Sequence, residues 1–152
     1  MPHYYFDSSA LVKNYVLETG TQWVRSLCTD SNHTIYTIRI SGAEIVAAFS
    51  LRVRTNSISV PDGQRAIRQF KADFQTNYQI IEITTPLINL AITLIEQHDL
   101  RGYDSVQLAG AISLHQIRQS LALPPLTLVC ADNNLNGAAI SEGLLVENPN
   151  LM

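Results

Sequence analysis

The sequence predicts an α/β sandwich around a central, mostly parallel sheet. Strand-like and helix-like segments alternate along the chain, and the strand runs YYF (4–6) and LTLVC (126–130) carry no polar face, as expected of strands covered on both sides. At 152 residues and 46% hydrophobic content, residues 1–152 have the size of one domain with a sizeable core.

HYYF (3–6) opens the chain as a strand. The spacing of Ala10, Leu11 and Tyr15, with Val12 and Val16, predicts a helix from Ser8 to Glu18, which Gly20 stops. TQWVRSLCT (21–29) is a second short helix, TIYTI (34–38) a β-branched strand and SGAEIVAAFSLRV (41–53) a helix. NSISVPDG (56–63) reads as a loop in which Pro61 starts a helix through AIRQFKADF (66–74), and YQIIEI (78–83) is a strand. Pro86 sits in the first turn of LINLAITLIEQH (87–98), a helix ending near Asp99. DSVQLAGAISLHQIRQSLAL (104–123) is a long helix broken by Pro124 and Pro125. LTLVC then forms a strand, and NLNGAAISEG (134–143) with LLVE (144–147) supplies the last helix and an edge strand.

No window approaches the roughly 20 apolar residues of a membrane helix, and MPHYYFD lacks a signal-peptide pattern. The expectation is a soluble, cytoplasmic protein. Two cysteines, Cys28 and Cys130, are too few for a disulfide framework and read as reduced core thiols. A net charge of −3 exerts no global pull toward nucleic acid. Charge is local instead: Arg52, Arg54, Arg65, Arg68 and Lys71 face only Asp62 over positions 52–71, a segment of charge +4 that reads as a solvated helix face or a phosphate-binding surface.

In a parallel sheet, sites form outside the carboxyl ends of the strands. YYF ends at Asp7, and LTLVC ends one residue short of Asp132. Asp104 precedes a helix rich in small residues, and Glu44 is the only charge among the eleven residues from Ile40 to Ser50. Singly, each has an ordinary reading: turn or cap for Asp7, Asp104 and Asp132, a snorkelling surface residue for Glu44. Together, four carboxylates at one edge repel one another and call for raised pKa values or a cation. Oxygen donors without a histidine or cysteine cluster favour magnesium or manganese over zinc. Such ions activate water against a phosphodiester. His3, His33, His98 and His115 have no spacing suited to a metal or a triad.

YYFDSSALVKNYVLETG, SGAEIVAA, RGYDSVQLAGA and LVCADNNLNGAAISEGL resemble the four signature stretches of PIN-domain nucleases, and within them the VapC toxins. The resemblance runs from Tyr4 to Glu147. It implies a PIN-like three-layer α/β/α sandwich with four to five strands, and a magnesium- or manganese-dependent endoribonuclease inhibited by a cognate antitoxin. By motif, Asp7, Glu44, Asp104 and Asp132 match the family's acidic quartet as catalytic and metal-holding residues. Ser8 and Ser9 match its hydroxyl pair, which caps the first helix or touches the metal's water or the phosphate. Lys13 fits a residue frequent in the subgroup and otherwise reads as a solvated helix lysine. Cys130 departs from the family's usual Ser or Thr, and a thiol is the poorer hydrogen-bond partner. Arg65, Arg68 and Lys71 are candidate substrate contacts. Related toxins pair as two-fold dimers, so a homodimer is expected. The competing functions are an inactive PIN-like module that binds protein or RNA, and a metal-dependent DNA nuclease or phosphatase. A phosphoaspartate enzyme is disfavoured because Asp7 is followed by SSA rather than by a second aspartate two residues on.

Overall fold

In the computed structural model, which describes residues 2–152, five short strands form one sheet in which every pairing is parallel. The strands are β1 (His3–Phe6), β2 (Thr34–Ile38), β3 (Gln79–Ile81), β4 (Thr127–Val129) and β5 (Leu145–Glu147), in the spatial order β3-β2-β1-β4-β5. The chain therefore winds outward from β1 to β3, then crosses back to place β4 on the other side of β1. That reversal opens a crevice at the carboxyl ends of β1 and β4. The predicted architecture is present, with the sheet wholly rather than mostly parallel.

Alternation along β1 divides the core. Tyr5 joins a cluster with Leu128 of β4 and with Leu94, Leu108, Ile112 and Leu135, supplied by α5 (Thr85–Gln97), α6 (Gly102–Ser120) and α7 (Asn133–Ser141). Phe6 points the other way, into a cluster with Leu11, Val24, Ile45, Phe49 and Phe70. Those residues come from α1 (Ser8–Leu11), α2 (Thr21–Thr29), α3 (Ser41–Arg54) and α4 (Val60–Thr76). Both rings are fully buried, which is why a strand of aromatics without a polar face belongs at the centre of the sheet.

Several boundaries differ from the expected ones. The helix anticipated from Ser8 to Glu18 ends early: α1 tightens into a 3-10 turn over Val12–Asn14 and stops there. The Thr21 hydroxyl competes for the next turn, donating to the Val16 carbonyl and accepting from the Glu18 amide. Gly20, at φ 86°, leads directly into α2. The expected loop 56–63 closes sooner, because Ser59 accepts from the Asp62 amide and caps α4 ahead of Pro61. The long helix begins at Gly102, not Asp104, since Arg101 already occupies the cap position in an extended conformation. No helix among the described residues is long and apolar enough to cross a membrane.

Candidate active site

Asp7 follows β1 directly and is only 3% exposed. It caps α1 through the Ala10 amide at 3.0 Å, and the Ser9 hydroxyl lies 2.8 Å from both of its carboxylate oxygens. From β4, the Cys130 thiol donates to Asp7 Oδ2 at 3.1 Å. Burial pushes the Asp7 carboxyl up to about 6, against the opposing pull of the Ser9, Cys130 and Ala10 hydrogen bonds; the charge of Glu44 adds to the rise. The Ser9 hydroxyl also accepts from the Ala131 amide at 3.0 Å, stitching the two strand ends together.

Asp132 caps α7, accepting from the Asn134 amide at 2.9 Å and the Leu135 amide at 3.4 Å. Its own amide donates to the Cys130 sulfur at 3.3 Å. The thiol, though the poorer hydrogen-bond partner, thus bridges Asp7 and the Asp132 amide. Glu44 lies in the first turn of α3, half-buried, with its carboxyl raised by burial and pulled back by hydrogen bonds from Gln107 and Ser8. Asp104 lies in the first turn of α6 and does not cap it; its Oδ2 accepts from Arg101 Nε at 3.2 Å.

These four acids line a single cavity of about 350 Å³ together with Ser8, Ser9, Lys13, Glu18, Arg52 and Arg101. Lys13 is not solvated as expected. It is 5% exposed, and its Nζ lies 3.2 Å from Glu18 Oε1, while Arg52 binds Glu18 Oε2 at 3.1 Å. Arg65, Arg68 and Lys71 do not reach this cavity: all three are exposed on α4, and Arg65 pairs with Asp62 at 2.9 Å. Of the basic segment, Arg52 is the member brought to the acids. Arg101, Gln107 and Glu18 are not among the residues to which the sequence points. Two of them have a signal: Arg101 and Gln107 stand three residues either side of Asp104, Arg101 as the cap residue before α6 and Gln107 one turn into it.

Five carboxylates and three cations on this cavity leave a charge of −2 when all are ionised. The donors are hard oxygens, and the Arg101 guanidinium, 3.2 Å from Asp104 and 4.0 Å from Asp132, puts positive charge between two of them. By their oxygen chemistry these donors fit a hard divalent cation, for which Arg101 in this position is a competitor. In the arrangement seen, no three His, Cys, Asp or Glu side chains among the described residues converge on one ion position.

The chain matches no protein-family model. Over 146 residues it is 30% identical to Ribonuclease VapC45 of Mycobacterium tuberculosis, covering 96% of this chain and 95% of that protein, and equally to Ribonuclease VapC49 of the same organism. The chain belongs to the VapC ribonuclease family. Among solved structures, the VapBC2 complex of Rickettsia felis bound to a promoter DNA fragment superposes with a TM-score of 0.64 at 16% identity, covering 96% of this chain and 98% of the other. The sarcin-ricin loop cleaving toxin VapC20 of M. tuberculosis superposes with a TM-score of 0.60 at 13% identity, over 89% of this chain and 94% of that one. At such identities the likeness is one of fold. This chain has the VapC architecture, with the carboxyl ends of β1 and β4 forming one wall of its acid-lined cavity.

Proposed function

We propose that this VapC-family protein is a magnesium- or manganese-dependent endoribonuclease, the toxin of a type II toxin-antitoxin pair, acting as one PIN-like domain in each subunit of a homodimer. The observation that carries the reading is the meeting of Asp7, Glu44, Asp104 and Asp132, distant in sequence, on one cavity at the switch point of a parallel sheet. Asp7, Glu44, Asp104 and Asp132 would hold the ion. When bound, a divalent ion polarises the phosphoryl oxygen and supplies an activated water at neutral pH.

The chain's own groups do the rest. Ser9, Cys130 and the Ala10 amide hold Asp7 rigid and keep it ionisable despite its burial. Lys13, Arg52 and Arg101 are the cations that meet the non-bridging oxygens of an RNA phosphodiester. Water attacks phosphorus, the bridging P–O bond breaks, and the leaving oxygen takes up a proton. A complete set of acids argues against a dead binding module. The toxin-antitoxin complexes of similar fold support an antitoxin as partner. Ile88, Ile92 and Ile95 on α5, exposed at helical spacing, support a protein-covered face.

The test is incubation of the purified protein with matched RNA and single-stranded DNA pools in manganese. Internal cleavage of RNA alone is the expected result. Cleavage of DNA alone, or of neither, contradicts the proposal.

A further inference from the structure

Behind Glu44, a chain of polar side chains crosses the core. Tyr5, fully buried on β1, donates to Gln107 Oε1 at 3.2 Å. Gln107, 1% exposed on α6, donates through Nε2 to Glu44 Oε1 at 2.8 Å and to Ser41 Oγ at 2.9 Å. Ser41 Oγ is hydrogen-bonded to Thr37 Oγ1 at 2.8 Å, and Thr37 donates to the Phe6 carbonyl at 2.9 Å. One amide thus ties β1, β2, α3 and α6 to a single carboxylate.

The amide can face only one way. The Glu44 carboxylate only accepts, so the Gln107 atom that faces it must be the nitrogen, and the amide oxygen is left for the Tyr5 hydroxyl. Both nitrogen hydrogens are then spent on Glu44 and Ser41. A flipped amide would aim its oxygen at the Glu44 carboxylate and leave the Tyr5 hydroxyl against an NH₂ group. Gly110, one turn along α6 from Gln107, makes the approach possible, since a Cβ there would stand 2.6 Å from the Tyr5 hydroxyl. Leu108, Ala109, Ala111 and Ile112 bury the surrounding turns of α6, a setting in which an unsatisfied polar network is costly and a satisfied one is rigid.

We infer that Gln107 is a positioning residue: pinned by Tyr5 and Ser41, it fixes where the Glu44 carboxylate stands in the acid cavity. The inference rests on the metal-dependent reading above, under which Glu44 is one of the oxygen donors. Groups that orient metal ligands typically cost about 10- to 100-fold in metal affinity when removed.

Manganese binding by titration calorimetry, on variants shown by circular dichroism to be folded, tests it. Gln107→Met is expected to bind manganese about 10-fold more weakly than the unmodified protein. Gln107→Met combined with Glu44→Gln is expected to bind no more weakly than Glu44→Gln alone, because nothing is left to position. Unchanged affinity in Gln107→Met with only a lowered Tm overturns the inference, as does a further loss in the double variant. Should Gln107→Met not fold, Tyr5→Phe keeps the shape and frees the amide; it must also weaken binding, and unchanged affinity again overturns the inference. If the unmodified protein binds no manganese, the metal reading fails by itself. Gln107 is then judged by NMR: a downfield Nε2 proton that loses its shift in Glu44→Ala supports the contact, and an unmoved proton refutes it.

Discussion

The Cys130 thiol and the Asp7 carboxylate meet at 3.1 Å, so the ends of two adjacent parallel strands share a proton donor inside the acid cavity. Burial raises the thiol's pKa far above neutrality, which keeps it a donor and makes it unreactive. Cys130→Ser retains a donor, whereas Cys130→Ala removes one of the three groups that lower the Asp7 pKa. Carboxyl-carbon NMR titration of the metal-free protein is expected to show Asp7 titrating above its unmodified value of about 6 in the alanine variant only. The alanine variant should also lose about 1 kcal/mol of stability at neutral pH.

The raised pKa of Asp7 has a definite sign in stability. Its folded value of about 6 exceeds the ordinary 3.8, so the metal-free native state binds this proton more tightly than the unfolded chain does. The contribution is most favourable below about pH 4 and is lost as pH rises through 6, a difference worth about 3 kcal/mol. Asp7→Asn keeps the helix cap and removes the buried charge. Urea unfolding in EDTA should find Asp7→Asn more stable than the unmodified protein at pH 7.5 by on the order of 2 kcal/mol, with the gap closing toward pH 4.

Metal and stability are coupled through the same carboxylate. An ion that binds only the folded chain stabilises it by about 2.7 kcal/mol at a hundred times its Kd. Thermal unfolding at neutral pH should therefore show a Tm that climbs with manganese in the unmodified protein and stays flat in Asp7→Asn. A Tm indifferent to manganese in both would count against an ion in this cavity.

Arg52 and the three exposed cations of α4 should behave differently. Arg52 lines the cavity beside Glu18, so Arg52→Gln is expected to raise KM for RNA about 3- to 10-fold and to lower the salt slope of binding by about one. Replacing Arg65, Arg68 and Lys71 together by Gln should leave single-turnover cleavage at saturating RNA unchanged, because none of them reaches the acids. Slow cleavage at saturation in that triple variant would mean that α4 shapes the reacting site.

Asp7 and Asp132 were readable from sequence because an apolar run without a polar face can only be a covered strand, and each run stops just before its acid. Glu44 was readable as a lone charge in an apolar helix. The burial of Lys13 is not legible in the sequence, because its environment depends on Glu18, which reaches it only after the chain abandons the helix at Asn14. Asp104 has the residue type of a cap, yet Arg101 takes that position with no side-chain bond to the helix. Gln107 lay hidden for a related reason. Its three partners, Tyr5, Ser41 and Glu44, come from other elements, and periodicity along α6 records only that the position is polar on a buried face.

The most direct test of the account is the rate of RNA cleavage against free manganese, from EDTA excess to saturation, for the unmodified protein and Asp7→Asn side by side. The expected result is no cleavage in EDTA, a saturable rise with manganese in the unmodified protein, and at least a 100-fold lower plateau in Asp7→Asn, in line with the roughly 10²- to 10³-fold cost of removing one transition-state-stabilising group. Cleavage that persists in excess EDTA, or an Asp7→Asn plateau equal to that of the unmodified protein, contradicts it.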